Sequence, residues 1–291
     1  MPDDTHRFGD DRLTATVRAE GAELQSLRDA GGGEWLWQAG PEWPRHAPIL
    51  FPIVGRLPGD TLRHAGQPHR MTQHGFARDS RFTWLWRDGA GCALRLEDND
   101  ATRAAYPFAF ALDVEWAVAG GALSCTATVL NPGDGPLPFL IGGHPAFSWP
   151  LPGAASAEGH HLTFAGIGAL AARRLTGGLL DASEYISLRD GTLPLNQSLF
   201  EKDAIVLPDF PARKLRYAAP GAALEMQWDG YSDFGLWSKP GASFLCLEPW
   251  CGTAAPLGWD GEFMNRPGAT VLAPGQSRRF SWQVRPERSP D

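Results

Sequence analysis

Period-two alternation constrains this chain more than any other feature. Phe108, Phe110, Leu112, Val114, Trp116 and Val118 are separated by Ala109, Ala111, Asp113, Glu115 and Ala117. An extended segment with that pattern turns one side to a core and the other to a more polar surrounding. After Ala119, Gly120 and Gly121, which read as a hairpin turn, Leu123, Cys125, Ala127 and Val129 repeat the rule. Further strands are predicted over 13–17, 23–27, 82–86, 93–97, 214–218, 224–228, 243–248 and 280–284. Turn signals separate most of them: Asn131-Pro132-Gly133, Ala219-Pro220-Gly221, Lys239-Pro240-Gly241 and Ala273-Pro274-Gly275. Gly31 to Gly33 read as another turn.

No segment sustains a 3.6-residue apolar period, so helices are expected to be scarce. Many short strands at regular spacing imply an all-β antiparallel sandwich or barrel. No linker or composition shift divides the 291 residues, so one domain over 1–291 is expected, long enough to bury a core without staples. The stretch 154–190, rich in Ala and Gly, reads as loops, and the tail from Arg285 as frayed.

Composition narrows the function. A net charge of −7 disfavours nucleic-acid binding, which needs a basic surface to neutralise phosphates. Cys92, Cys125, Cys246 and Cys251 form no CxxC pair, so zinc ribbons and thioredoxin-like chemistry are not expected, and reduced thiols are. Residues 1–11 lack the basic and apolar regions of a signal peptide. The most apolar stretch, 47–54, is too short to span a membrane and carries Pro48 and Pro52. These features predict a cytoplasmic protein. The twelve tryptophans suit both sheet cores and sugar-stacking surfaces.

Four segments depart from ordinary sheet: PILFPIVGR from Pro48 to Arg56, TQHGFAR from Thr72 to Arg78, GGHPAF from Gly142 to Phe147, and FLCLEPWCG from Phe244 to Gly252. Each sets a titratable residue beside Gly or Pro at the end of an apolar stretch, where a rigid sheet offers side chains to a ligand. Glu248 ends an alternating strand among apolar neighbours. Desolvation there would raise its pKa and make it a stronger base; it also reads as a plain strand-end carboxylate. His144 precedes Pro145, which stiffens its loop, and His74 precedes Gly75, which permits close backbone approach. Each histidine is equally readable as structural. No HxH or HExxH spacing supports a metal, and no phosphate-binding loop or dinucleotide fingerprint is present.

Together these segments resemble the aldose 1-epimerase family, and most of all its bacterial LacX-like branch, in order and spacing from about Leu13 to Val284. The resemblance implies the large galactose mutarotase-like β-sandwich and an isomerase that interconverts the anomers of a free aldohexose without cofactor or metal. It implies Glu248 as general base, His144 as general acid, His74 and Arg56 as sugar-binding residues, and Asp203 as the sugar-binding aspartate. Asp203 lacks the family's Asp-His-Asn context, and Asp233 competes for that role. The chemistry is consistent. Opening a hemiacetal needs a base at the anomeric hydroxyl and an acid at the ring oxygen, which a desolvated carboxylate and a histidine supply.

Other readings remain open. A hexose-6-phosphate 1-epimerase would need cations, for which Arg78 and Arg81 are candidates. A non-catalytic carbohydrate-binding module would rely on tryptophan stacking, and the Glu248–His144 pair argues against it. A glycoside hydrolase would need a second carboxylate placed as well as Glu248. The expected partner is a small-molecule sugar, with no nucleic acid and no membrane, and the assembly a monomer or homodimer.

Overall fold

A computed structural model describes residues 4–288, and in it the alternating segments are strands. Ala111–Ala119 pairs with Ala122–Leu130 on one side and Gly91–Glu97 on the other, all antiparallel. Leu112, Val114, Trp116 and Val118 are buried. On the opposite face Asp113 accepts two hydrogen bonds from Arg95 of the neighbouring strand, at 2.6 and 2.8 Å, a cross-strand pair suited to a solvated surface. These strands belong to a nine-stranded sheet. Its other members are Thr83–Arg87 at one edge and Ser277–Arg288, Ala222–Asp229, Lys214–Ala219, His161–Thr163 and Thr192–Pro194 toward the other.

A second sheet of eight strands runs Leu179–Ser187, Ala169–Thr176, Ile205–Leu207, Asp233–Trp237, Phe244–Cys251, Ile141–Gly143 and Ile49–Leu50, with Ala146–Ser148 also on Phe244–Cys251. The two sheets share one core cluster. Trp228 of the first packs on Phe234 of the second with ring centroids 4.4 Å apart. Gly143 lies against Trp282, where an added Cβ would fall 2.7 Å from the indole nitrogen. That contact explains a glycine at the end of strand Ile141–Gly143. The architecture is the expected all-β, large antiparallel sandwich. One short α-helix, Asp100–Ala105, occurs among the described residues, capped by Asn99 in a capping box with Thr102. No helix among them is long and apolar enough to cross a membrane.

Two expectations need correction. The stretch 154–190 is not merely loop: it contributes His161–Thr163, Ala169–Thr176 and Leu179–Ser187. The buried face of Ala169–Thr176 carries Leu170, Ala172 and Arg174, and a small residue and a cation hide the alternation. Arg174 is tolerated there because Glu184 accepts from its Nε at 2.6 Å and the Leu199 and Asp203 carbonyls from its Nη1 at 3.0 and 3.1 Å. Leu179–Ser187 is an edge strand with Leu180 alone buried, so it shows little pattern. The second correction concerns the tail. Arg285 to Arg288 do not fray but pair with Glu225 to Ala222, and the rest of the tail lies outside the described residues.

Strand Phe244–Cys251 is buried along its whole length. Leu245 and Leu247 join the core between the sheets. Phe244 and Cys246 join a separate cluster with Trp37, Trp43 and Trp237 on the other face. Glu248 and Trp250 continue that second face by the period of two.

Candidate active site

A cavity of about 280 Å³ opens on that face, lined among others by Trp43, His74, Arg78, His144, Asp203, Trp237, Glu248 and Trp250. Its size is near the lower bound of about 300 Å³ for small-molecule sites. Four of the five residues singled out in the sequence therefore meet: Glu248, His144, His74 and Asp203.

Strand register brings the first two together. Ile141 and Gly142 pair with Cys251 and Trp250, and the same register resumes at Ala146 and Cys246. His144 thus falls opposite Glu248. Between them Pro145, with no N–H to give, offers its carbonyl to the Leu247 amide at 3.2 Å. His144 Nε2 lies 3.1 Å from Glu248 Oε2. The approach is not aligned as a hydrogen bond, and Oε2 makes none within the protein.

His74 comes from a tight loop over the end of Ile49–Leu50. Its backbone has φ +66° and that of Gly75 +71°. A Cβ on Gly75 would sit 2.2 Å from the Phe51 carbonyl oxygen, so only glycine allows this approach. The Gly55 amide donates to His74 Nδ1 at 3.1 Å, which fixes the proton of the neutral ring on Nε2.

Asp203 stands exposed at the rim, with φ +66°. Its turn is tied by the Ala204 amide to its own carboxylate at 2.8 Å and by Arg174 to its carbonyl. Asp233 is elsewhere and fully occupied: its carboxylate accepts from the Asp209 amide at 3.0 Å, the Gly252 amide at 2.8 Å and Ser232 Oγ at 2.6 Å. Arg56 is not brought to the cavity. Asp60 holds its guanidinium through two hydrogen bonds, at 2.7 and 3.0 Å, and the cation in the lining is Arg78. Arg81 is also outside the lining and pairs with Asp4.

The sequence reading missed Trp43 and Trp237 as parts of the site. Trp43 sits between Pro41 and Pro44 in a stretch with no alternation, which was the one available signal. Gly235 matters as well. It lies opposite Glu248 in the neighbouring strand, and a Cβ there would fall 2.6 Å from the Trp250 ring.

Burial decides the charge state of the pair, since Glu248 is 1% and His144 7% exposed. Burial pushes the carboxyl of Glu248 well above 4.5, and the Asp203 carboxylate adds to the rise. Burial pushes the His144 imidazole down from 6.5 to about 3, helped by the Arg78 charge. Burial also lowers His74, with His144 and Arg78 contributing. Each shift favours the uncharged form. Within the pair, burial thus favours a protonated carboxyl beside an uncharged imidazole.

The two groups respond to pH in opposite directions. Folded His144 stays neutral down to about 3, while the unfolded imidazole takes a proton below 6.5, so its contribution to stability falls as pH drops through that window. Folded Glu248 keeps a proton that the unfolded carboxyl releases above 4.5, so its contribution falls as pH rises toward its raised pKa. One proton is worth about 1.4 kcal/mol per pH unit. The Tm of Glu248→Gln minus that of Glu248→Gln/His144→Asn isolates His144, and should decline by roughly 2–3 °C per unit below pH 6.5. Scanning fluorimetry checks this, and a difference that grows as pH drops would reject the neutral imidazole.

Among the described residues, His144, Cys246 and Glu248 present ligand atoms within 4.8 Å of one another, as a metal site would. The fit is poor: Cys246 sits among the apolar Ala146, Ala242 and Phe244 and is absent from the cavity lining, so an ion entering through the cavity would meet only His144 and Glu248 of the three.

The family model described as aldose 1-epimerase matches residues 4–285. Protein LacX of Lactococcus lactis subsp. lactis is 30% identical over 286 residues, covering 94% of this chain and 96% of its own. Among solved structures, a galactose mutarotase related enzyme from Lactobacillus acidophilus superposes with a TM-score of 0.93 at 28% identity, covering 99% of this chain and 98% of its own. A galactose mutarotase-like protein from Lactobacillus casei gives 0.89 at 26% identity, covering 97% and 100%.

Proposed function

Because the chain belongs to the aldose 1-epimerase family, we propose that it interconverts the α and β anomers of a free aldohexose, with Glu248 and His144 as the acid–base pair. The observation that carries this reading is the buried contact of 3.1 Å between His144 Nε2 and Glu248 Oε2 on the wall of a cavity of monosaccharide size. A buried carboxyl oxygen without a partner in the protein, as Oε2 is, is costly unless a substrate proton completes it.

The resting pair favours the protonated carboxyl, so for ring opening the proton passes to His144 as bound sugar hydroxyls donate to Glu248 and stabilise its carboxylate. Glu248 removes the proton of the anomeric hydroxyl while His144 delivers one to the ring oxygen, and the C1–O5 bond breaks to give the open aldehyde. The pair still holds one proton, now on Glu248. Rotation about C1–C2 presents the other face of the carbonyl, and reclosure reverses both transfers. Nothing is oxidised, and no covalent intermediate or cofactor is required. His74 offers a neutral Nε2–H to a sugar hydroxyl, Asp203 accepts from another at the rim, and Arg78 takes the role expected of Arg56. Trp43 and Trp237 offer apolar faces to the ring's C–H groups.

Polarimetry and exchange NMR with α-glucose, α-galactose and glucose 6-phosphate test the assignment. Both free hexoses should be turned over with modest discrimination at C4, and activity should survive exhaustive chelation. Loss on chelation with recovery on adding zinc would overturn the proton-transfer mechanism. The second reading, a hexose-6-phosphate epimerase, is favoured by one observation: Arg78 lines the cavity with Nε lacking a hydrogen-bond partner. Asp79 already lies 3.6 Å from that nitrogen and Asp203 repels an anion at the rim, so free sugars are the first choice. Turnover of glucose 6-phosphate several hundred-fold more efficient than that of glucose would reverse it.

A further inference from the structure

His144 Nδ1 is buried and finds no hydrogen-bond partner in any other residue, with only its own backbone nearby. A reacting imidazole is ordinarily oriented by a bond from its second nitrogen to another group, and here no other residue fixes the ring about its Cβ–Cγ bond. Rings surround it instead. The Trp43 indole stacks on its face with centroids 4.9 Å apart and planes 26° from parallel. Trp237 and His74 meet it edge-on at 5.8 and 5.6 Å. Trp43 is itself anchored from outside the cavity. Trp37 Nε1 donates to its carbonyl at 2.9 Å, and its amide donates to the Gly40 carbonyl at 3.1 Å. Lys239 Nζ donates to the Glu42 carbonyl at 2.8 Å. Gly40 is required at that turn, since a Cβ would fall 2.8 Å from the Trp37 ring.

We propose that Trp43 is a positioning residue of this site: the loop carrying it holds the His144 ring with Nε2 toward Glu248 by stacking, in place of a hydrogen bond at Nδ1. The proposal rests on the acid–base reading above. Trp43→Leu leaves the ring free to swing, and a misplacement of about 1 Å lowers turnover by about 10²-fold. Trp43→Phe restores a flat ring and should recover most of it. Trp43 also faces the sugar, so its variants shift KM as well. Trp37→Phe tests positioning from outside the lining, because it removes the anchoring N–H and shrinks the ring while keeping an aromatic against Phe244; kcat should fall while KM stays near the wild-type value.

Ring ¹⁵N NMR of His144 in the sugar-free protein supplies a readout independent of turnover. The wild type should show one fixed tautomer, and Trp43→Leu averaged nitrogen shifts, with Trp43→Phe resembling the wild type. Unchanged His144 shifts in Trp43→Leu would overturn the proposal even if kcat fell, because Trp43 would then be a sugar contact and no more. If the wild type exchanges no anomers, the functional reading fails while the shifts still decide whether Trp43 positions the ring.

Discussion

Glu248→Gln should lower kcat for anomer exchange by about 10²–10⁴-fold, the usual worth of a general base, and leave KM nearly unchanged. Glutamine keeps the shape and hydrogen-bonding reach of glutamate but cannot accept the anomeric proton, so the lost interaction belongs to the transition state. His144→Asn should lower kcat to a similar degree by removing the proton donor. The double variant should be little worse than either single one, since the two groups act in one ring opening. Exchange NMR for kcat and equilibrium binding of a sugar, on samples whose folding is checked by circular dichroism, separate the cases. Near-normal turnover in Glu248→Gln would remove that residue from the chemistry and leave a strand whose buried carboxyl has no function.

Asp233→Ala should be strongly destabilising. Its side chain accepts three hydrogen bonds, two of them from the Asp209 and Gly252 amides, and it is buried. Hydrogen bonds to a charged acceptor are worth about 1.5–3 kcal/mol each, and a stranded buried amide carries a further penalty. A loss of about 4 kcal/mol is expected, or roughly 8 °C in Tm for a chain this long. Asp203→Asn should behave oppositely. Asparagine tolerates the positive φ and preserves the local turn, so Tm should hardly move while KM rises several-fold. Thermal melts paired with KM measurements check both. A stable Asp233→Ala with a raised KM, beside an indifferent Asp203→Asn, would exchange the roles of the two aspartates.

Much of the fold was legible because strand patterning is local. Each residue of 108–118 declares its side by comparison with the residue two along, and the Gly/Pro turns between strands act within three or four residues. Where the local signal was weak, the reading failed. Arg174 and Ala172 concealed a buried face, and Leu179–Ser187 is too exposed to show one. The tail from Arg285 looked frayed because its stability comes from pairing with residues 222–225, far away in sequence.

The site divides along the same line. The order of the chemistry-bearing segments lies in the chain itself, and Gly or Pro beside Glu248, His144 and His74 marks where those side chains leave the sheets, whereas Asp203 was named only through the family resemblance. That His144 faces Glu248 follows from the pairing of strands about a hundred residues apart, and no local pattern encodes that register. That Arg78 and Asp203 line the cavity while Arg56 and Asp233 do not follows from neighbours: Asp60 holds one arginine and two backbone amides occupy one aspartate. Trp43 reaches His144 only because a loop is tied down by Trp37. The opposite pKa shifts of Glu248 and His144 are likewise a product of tertiary packing, since a carboxyl and an imidazole change their affinity for protons only once the folded chain has taken water away from both.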